Sequence, residues 1–419
     1  MEHIIPLKWS KKWPKTHNTY IIMKIYKESY INHKDSIRIV ITHEDCGNIE
    51  ILNNLWYNAV NSINSNLSNY CSDRKELYMH RNHGLDLLKT ISAFMVICIH
   101  VPFPGIVGTI ITPLARIAVP LFFMITGYYY SSTKERNRVN KQFYKIIQLF
   151  VGANLLYMLW DLFKACILNH SVTIELSRMF SVKSMLKFIL LNESPFSAHL
   201  WYLGAILYVL LIVLLFEKKW TREKLYPIVP FLLVADLVFG KYSLLLFGQT
   251  IPYILVRNFL CVGLPYFLIG DWIYTRNITI DPNKARTYIL VFSLLTLVER
   301  ILLGVFSLNA ERDHYISTTF FAVFAFLLAS QNEEINANKE LSIFCSIGAK
   351  LSTSIYILHP IVIAVVGKVI VYISSHLPFI GVCYAYIAPF AVFIITAIVS
   401  WVLHYIIKNI HIKTRITHD

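Results

Sequence analysis

From about Leu85 to the end of the chain, apolar residues gather into long stretches separated by short polar connections. Each stretch is close to the roughly 20 residues that a helix needs to cross a hydrocarbon layer of about 30 Å. The pattern predicts spans at 85–103, 105–130, 143–168, 197–216, 226–247, 253–274, 287–307, 314–330, 351–374 and 380–407. The expected fold is therefore all-α: an integral membrane protein with a bundle of about ten transmembrane helices over residues 81–419. Residues 1–80 are polar and basic and have no sustained apolar run, so they predict a small N-terminal cytoplasmic segment and no cleavable signal. Within them, SIRIVIT (Ser36 to Thr42) predicts a strand, the stretch from Ile49 to Ile63 an amphipathic helix, and an Asn/Ser-rich stretch leads on to Arg81. The connection 169–196 has apolar residues at helical spacing with Arg and Lys between them, which predicts an amphipathic helix lying on the outer interface.

Composition agrees with that pattern. Hydrophobic residues make up 56% of the chain and charged residues only 15%, against about 25% charged in soluble domains. A net charge of +14 in a soluble protein would suggest a nucleic acid partner. Here the cations beyond Leu85 sit mostly in the connections, where they act as topology signals toward lipid, and no nucleic acid partner is expected. With the N-terminus inside, the inner connections and the C-terminal tail carry sixteen Lys and Arg, whereas the outer ones carry four: Arg178, Lys183, Lys187 and Arg312. The chain is expected in the cell membrane as a multi-pass protein with both termini cytoplasmic. Seven scattered cysteines without a CxxC pair suggest neither a disulfide framework nor a metal site.

Ionisable side chains within apolar spans are costly and are functional candidates for that reason. In the first span Lys89 and His100 lie 11 residues apart. At about 100° per residue they return to one helix face, roughly 16 Å apart along the axis, with Asp86 within about 40° of the same face. Histidine suits proton abstraction from a hydroxyl near neutral pH, which makes His100 the candidate general base. A structural histidine satisfied by a neighbouring helix is the alternative. Arg116, Phe123 and Gly127 share a face of the second span, where glycine also permits close helix approach.

GLDLLKTISAFMVICIH (Gly84 to His100) followed by RIAVPLFFMITGYY (Arg116 to Tyr129) resembles the acyltransferase-3 family of membrane O-acyltransferases. The resemblance continues through HLWYLGAILY (His199 to Tyr208), RNFLCVGLPYFLIG (Arg257 to Gly270), Glu299, RDHYIS (Arg312 to Ser317) and LSTSIYILHP (Leu351 to Pro360). It implies a helical membrane fold in which acyl-CoA, acetyl-CoA being the expected donor, enters from the cytoplasm. The acyl group then passes to a hydroxyl of a carbohydrate, lipid-linked sugar or other cell-envelope acceptor, without a metal. In the family, a basic residue, ten intervening positions and a histidine form the core motif of the first span, matched here by Lys89 and His100.

Lys89, Arg116 and the basic loop Lys134, Arg136, Arg138, Lys141 and Lys145 are the expected donor-side cations, since positive charge there attracts CoA phosphates. A loop that merely sets topology is the alternative. The Arg-x-x-Arg spacing carried by many family members at the third span is absent. Glu299 is expected to orient His100 or bind the acceptor, against a self-neutralising pair with Arg300. Arg257 and Asn258 are expected to hydrogen-bond sugar hydroxyls, with interfacial snorkelling as the alternative for Arg257. Tyr356 and His359 are expected near the acceptor, with Ser352 on the same face. His100 acts either as base or as a nucleophile through an acyl-histidine.

The rival from another class is a transporter or flippase, because intramembrane charges also line transport paths. Its usual mark is a repeated half, and none is found in the chain. A third expectation is a membrane domain that delivers an amino acid or sugar to a partner enzyme, because relatives of the family occur fused to racemase domains. No such soluble domain is expected after residue 419.

Overall fold

A computed structural model of the chain describes residues 22–28, 36–42, 82–133, 136–310, 312–332 and 339–416. The chain divides into two units, Met1–Arg81 and Asn82–Asp419. In the first, β1 (Ile22–Glu28) pairs antiparallel with β2 (Ser36–Thr42), and Ile25 stands opposite Ile39. The strand expected at Ser36–Thr42 is present, and the helix expected around 49–63 lies outside the described residues.

In the second unit every regular element among the described residues is helical. In chain order they are α1 (His83–His100), α2 (Gly105–Ala115), α3 (Ala118–Ser132), α4 (Arg136–Ile167), α5 (Val172–Met179), α6 (Val182–Leu191), α7 (Trp201–Phe216) and α8 (Val229–Asp236). There follow α9 (Ser243–Phe247), α10 (Leu264–Thr275), α11 (Pro282–Val305), α12 (Ile316–Ser330), α13 (Lys339–Lys350), α14 (Ser352–His376) and α15 (Pro378–Ile416).

Among the described residues seven helical stretches are long and apolar enough to cross a membrane. Three apolar helical stretches, Phe259–Thr275, Ile316–Ser330 and Leu341–Lys350, are shorter. The last of these falls where the hydrophobic pattern predicted only a connection. In α1 and α7, 56% of the most apolar window is buried within the protein; in α11 the share is 11%. The first two are central helices, while α11 presents Leu290, Leu294, Ile301 and Leu302 outward. Leu85, Leu121, Phe123, Met124, Val209, Tyr266, Phe267 and Phe326 form the core that α1, α3, α7, α10 and α12 share.

Small residues set the closest approaches. A Cβ on Gly127 of α3 would collide with the Phe267 carbonyl, and one on Gly270 of α10 with the Met124 carbonyl, so the two helices meet backbone to backbone through reciprocal glycines. Gly348 of α13 lies equally close to the Asp86 carbonyl on α1. Asn82 fixes the start of α1: its side chain accepts from the Leu85 amide at 2.9 Å and donates to the Ser330 carbonyl at 2.6 Å.

Two predicted spans are broken helices. The segment 226–247 passes from a 3-10 turn (Arg222–Ile228) through α8, a π turn at Leu237–Lys241 with Gly240 in non-helical geometry, and α9. The segment 253–274 opens with a 3-10 turn at Tyr253–Leu255, then passes through extended backbone at Asn258 and a π turn at Phe259–Gly263 before α10 begins. The amphipathic helix expected at 169–196 is two short helices, α5 and α6, each capped by a serine, Ser171 and Ser181. Irregular backbone at membrane depth is tolerated where it lines a cavity or is covered by protein, so these breaks point to the site.

Candidate active site

His100 is the last residue of α1, and its side chain is exposed. The ring of His359, from the middle of α14, lies 5.1 Å away between centroids, and that of His199 lies 5.4 Å beyond His359. His359 is completely buried and its Nδ1 is 3.2 Å from the Ile355 carbonyl. A carbonyl only accepts, so Nδ1 carries a proton in this contact. His199 stands in the short turn Ala198–Leu200 that starts α7, its Nδ1 2.7 Å from Ser197 Oγ and its ring edge-on to Tyr157 at 4.7 Å. The Tyr356 hydroxyl donates to the His199 carbonyl and so ties α14 to the start of α7. Among the described residues, the Nε2 atoms of both His199 and His359 are buried without a hydrogen-bond partner. Among the described residues no group of three or more His, Cys, Asp or Glu side chains is arranged to hold a metal ion, these three imidazoles included.

His100 also stands close enough to Arg116, Arg257 and Asp313 for each to act on it electrostatically. Arg116 sits at the break between α2 and α3. Pro113 lies inside the last turn of α2, Pro120 enters α3 without a backbone N–H, and the chain bends between them. The Arg116 guanidinium forms a hydrogen-bonded ion pair with one Asp313 oxygen, and the Tyr253 hydroxyl donates to the other. Asp313 lies in the connection between α11 and α12. Burial alone would raise its carboxyl, but Arg116 foremost, with His314 and Arg257, holds it well below the usual carboxylate range. Beside it His314 Nδ1 meets Asp236 Oδ2 at 2.7 Å, and Lys241 donates to the Ala310 carbonyl at 2.9 Å. Asp236, Lys241, Tyr253, Arg257, Asp313 and His314 border a cavity of about 10 Å³. The broken segments 226–247 and 253–274 supply four of these six side chains.

Lys89 lies near the other end of α1. Its Nζ is 3.0 Å from Asp86 Oδ1 and 4.8 Å from the centre of the Tyr129 ring, so Asp86 and Lys89 do share a face. Because α1 is continuous, the rise of roughly 16 Å between Lys89 and His100 stands. Arg116 is at the His100 end, apart from the other expected donor-side cations. Lys141 and Lys145 are exposed on α4. Lys134 lies outside the described residues, as do the side chains of Arg136 and Arg138.

Glu299 stands at the start of α12. Its carboxylate accepts from the Ile316 amide at 2.8 Å, the Ser317 amide at 3.3 Å and the Ser317 hydroxyl at 2.7 Å, and thereby caps α12. Asn258 is likewise occupied: it accepts from the Leu260 and Cys261 amides and donates to the Leu255 carbonyl at 2.8 Å, which starts the π turn into α10. His359 is beside His100, Arg257 is within electrostatic reach of it, and Tyr356 is 6.2 Å from His359 between ring centres.

His199, Tyr253 and Asp313 were not singled out from the sequence. His199 and Asp313 do lie within HLWYLGAILY and RDHYIS, and a buried charge run between two apolar stretches is the signal that points to Asp313.

The acyltransferase-3 family, described as an acyltransferase domain, matches residues 82–406. An amino-acid racemase of Enterococcus faecalis is 27% identical over 373 residues, which cover 81% of this chain and 47% of that protein. A serine/alanine racemase of Enterococcus gallinarum is 27% identical over 315 residues, covering 68% of this chain and 41% of that protein. The chain thus spans less than half the length of each of these two relatives.

Proposed function

Because the chain belongs to the acyltransferase-3 family, we propose that it is an O-acyltransferase that moves an acyl group, acetyl in the simplest case, from acyl-CoA to a hydroxyl of a carbohydrate or other cell-envelope acceptor. The observation that carries this proposal is the placement of His100. It ends a helix that bears Lys89 one membrane half away, its ring neighbours that of His359, and the Arg116–Asp313 pair acts on it electrostatically. In the step proposed, His100 takes the proton of the acceptor hydroxyl as the oxygen attacks the thioester carbonyl. The carbon–sulfur bond then breaks, the thiolate takes that proton from His100, and the ester and free CoA leave. Lys89 is assigned to the anionic donor. Glu299 and Asn258 are kept out of the chemistry, since each already caps a helix.

Comparing the surface glycans of cells with and without the gene tests the proposal through the loss of one acyl ester. In membranes given radiolabelled acetyl-CoA and those glycans, Lys89→Ala should raise the KM for the donor about tenfold, the effect of roughly 1.4 kcal/mol, with less change in kcat. An unchanged donor KM would remove Lys89 from the donor site. The names of the two racemases favour a second function, in which the membrane domain hands an amino acid such as serine to a partner enzyme. Serine uptake into proteoliposomes without any acyl transfer would establish that function instead.

Cytoplasmic placement of both termini is part of the proposal, resting on the sixteen-to-four asymmetry of cations. With the exposed Cys166 and Cys383 changed to Ser, an impermeant thiol reagent applied to intact cells should modify Lys183→Cys and leave Lys141→Cys untouched. The opposite labelling would invert the orientation.

A further inference from the structure

Arg257 has no carboxylate within ion-pair distance among the described residues, although Asp236 and Asp313 border the same cavity. Both carboxylates that border its cavity are committed, Asp313 to Arg116 and Tyr253, and Asp236 to His314. What holds Arg257 is aromatic: its guanidinium carbon lies 4.4 Å from the centre of the Tyr253 ring and 5.3 Å from that of Trp201. Stacking of this kind fixes the plane of the group while leaving its N–H donors available. The backbone is fixed as well, because the side chain of the next residue, Asn258, is bonded to both flanking segments. Trp201 is only 7% exposed, so the guanidinium is packed against the interior of the bundle and does not reach along the surface as a snorkelling arginine would.

A half-buried guanidinium with unused donors is costly in a membrane domain unless a partner arrives to use them. On this wall Arg116, Lys241, Arg257 and Arg312 face Asp236 and Asp313, and Asp236 is already shared with His314, so positive charge is in excess. The planar fork of arginine matches the two-oxygen edge of a carboxylate or phosphate ester. We propose that Arg257 is the receptor for an oxyanion group carried by the acceptor, so that the substrate is an acidic or phosphorylated sugar-like molecule whose hydroxyl is held at His100 by its own negative charge. This rests on the acyl-transfer function for the role of His100 but not for the binding of the anion.

Binding to the full-length protein in dodecyl maltoside, without acyl-CoA, tests the site with three probes of one shape: glucose, glucuronate and glucose 6-phosphate. Glucuronate or glucose 6-phosphate should bind about tenfold more tightly than glucose, and Arg257→Gln should abolish the difference while Arg257→Lys keeps part of it. Arg276→Gln, which removes an exposed cation from the cytoplasmic face of the proposed topology, should leave it intact and so exclude attraction by net charge alone. Equal binding of glucose and the anions, or unchanged anion binding to Arg257→Gln, would overturn the proposal. Displacement of the bound probe by phosphatidylglycerol would assign the site to a lipid headgroup. A fall in kcat for Arg257→Gln with probe binding intact would assign Arg257 to the oxyanion of the transition state. Loss of the acyl-transfer function leaves the binding result readable, because the measurement needs no donor.

Discussion

A His100→Gln protein is expected to transfer acyl groups some 10² to 10⁴ times more slowly than the wild type, the range lost with a positioned general base, while melting in detergent at nearly the same temperature. Both halves of that expectation come from the geometry. His100 is at the end of α1, exposed, and its side chain makes no hydrogen bond among the described residues, so the fold does not depend on its nitrogens. The helix end is closed by backbone instead, with the Val101 amide donating to the Ile97 carbonyl at 2.7 Å. Glutamine keeps a hydrogen-bonding side chain but cannot take up and return a proton near neutral pH, which separates a chemical role from a space-filling one. His100→Ala should lose activity to the same extent. Near-normal transfer by a well-folded His100→Gln protein would sink the mechanism. Recovery of an acyl group covalently attached to His100 by mass spectrometry would instead support the nucleophilic route.

The neighbours of His100 show what sequence periodicity can and cannot reach. Lys89, Asp86 and His100 belong to one helix, so 100° per residue suffices to place them, and the Lys89–Asp86 contact follows from that count. The strand Ser36–Thr42 and the central long spans were legible for the same local reason. Arg116 was visible as an intramembrane charge, but its partner Asp313 is 197 residues away in a connection, and no helical rhythm links the two. The breaks at 226–247 and 253–274 were hidden because hydropathy averages over a window, whereas a π turn at Gly240 and an extended Asn258 are single-residue events. The hydrogen-bond partners of Glu299 were hidden for a related reason. A carboxylate inside an apolar stretch signals an unusual partner, and here the partner is the start of α12, a helix end that composition does not reveal. The apolar pattern also passed over α13, which is too short to span but packs Gly348 against the Asp86 carbonyl of α1.

Removing the Asp313 carboxylate should be among the most damaging single changes in the membrane domain, and a second substitution should repair the fold without repairing the function. In Asp313→Leu, Arg116 loses the carboxylate it is paired with, next to Arg257 and Lys241, and Tyr253 loses the acceptor of its hydroxyl. Breaking a buried ion pair from one side costs about 3 to 5 kcal/mol. The lower figure applies here, because the two side chains remain 28% and 16% exposed. Replacing both partners by apolar residues of similar volume is often neutral, since the cost lies in the stranded charge more than in the lost attraction. The Arg116→Met/Asp313→Leu protein should therefore melt close to the wild type and well above Asp313→Leu alone, a coupling expected of groups in contact and not of distant, independent sites. Acyl transfer should not return with the stability. The double variant takes from His100 both charges of the ion pair beside it and leaves Tyr253, on which Arg257 is stacked, without its anchor. Melting temperature and kcat measured on the same three preparations decide the matter. If the double variant regains both, the ion pair only holds α3 to the connection before α12, whereas regained stability with transfer still reduced at least tenfold makes it part of the environment in which His100 works.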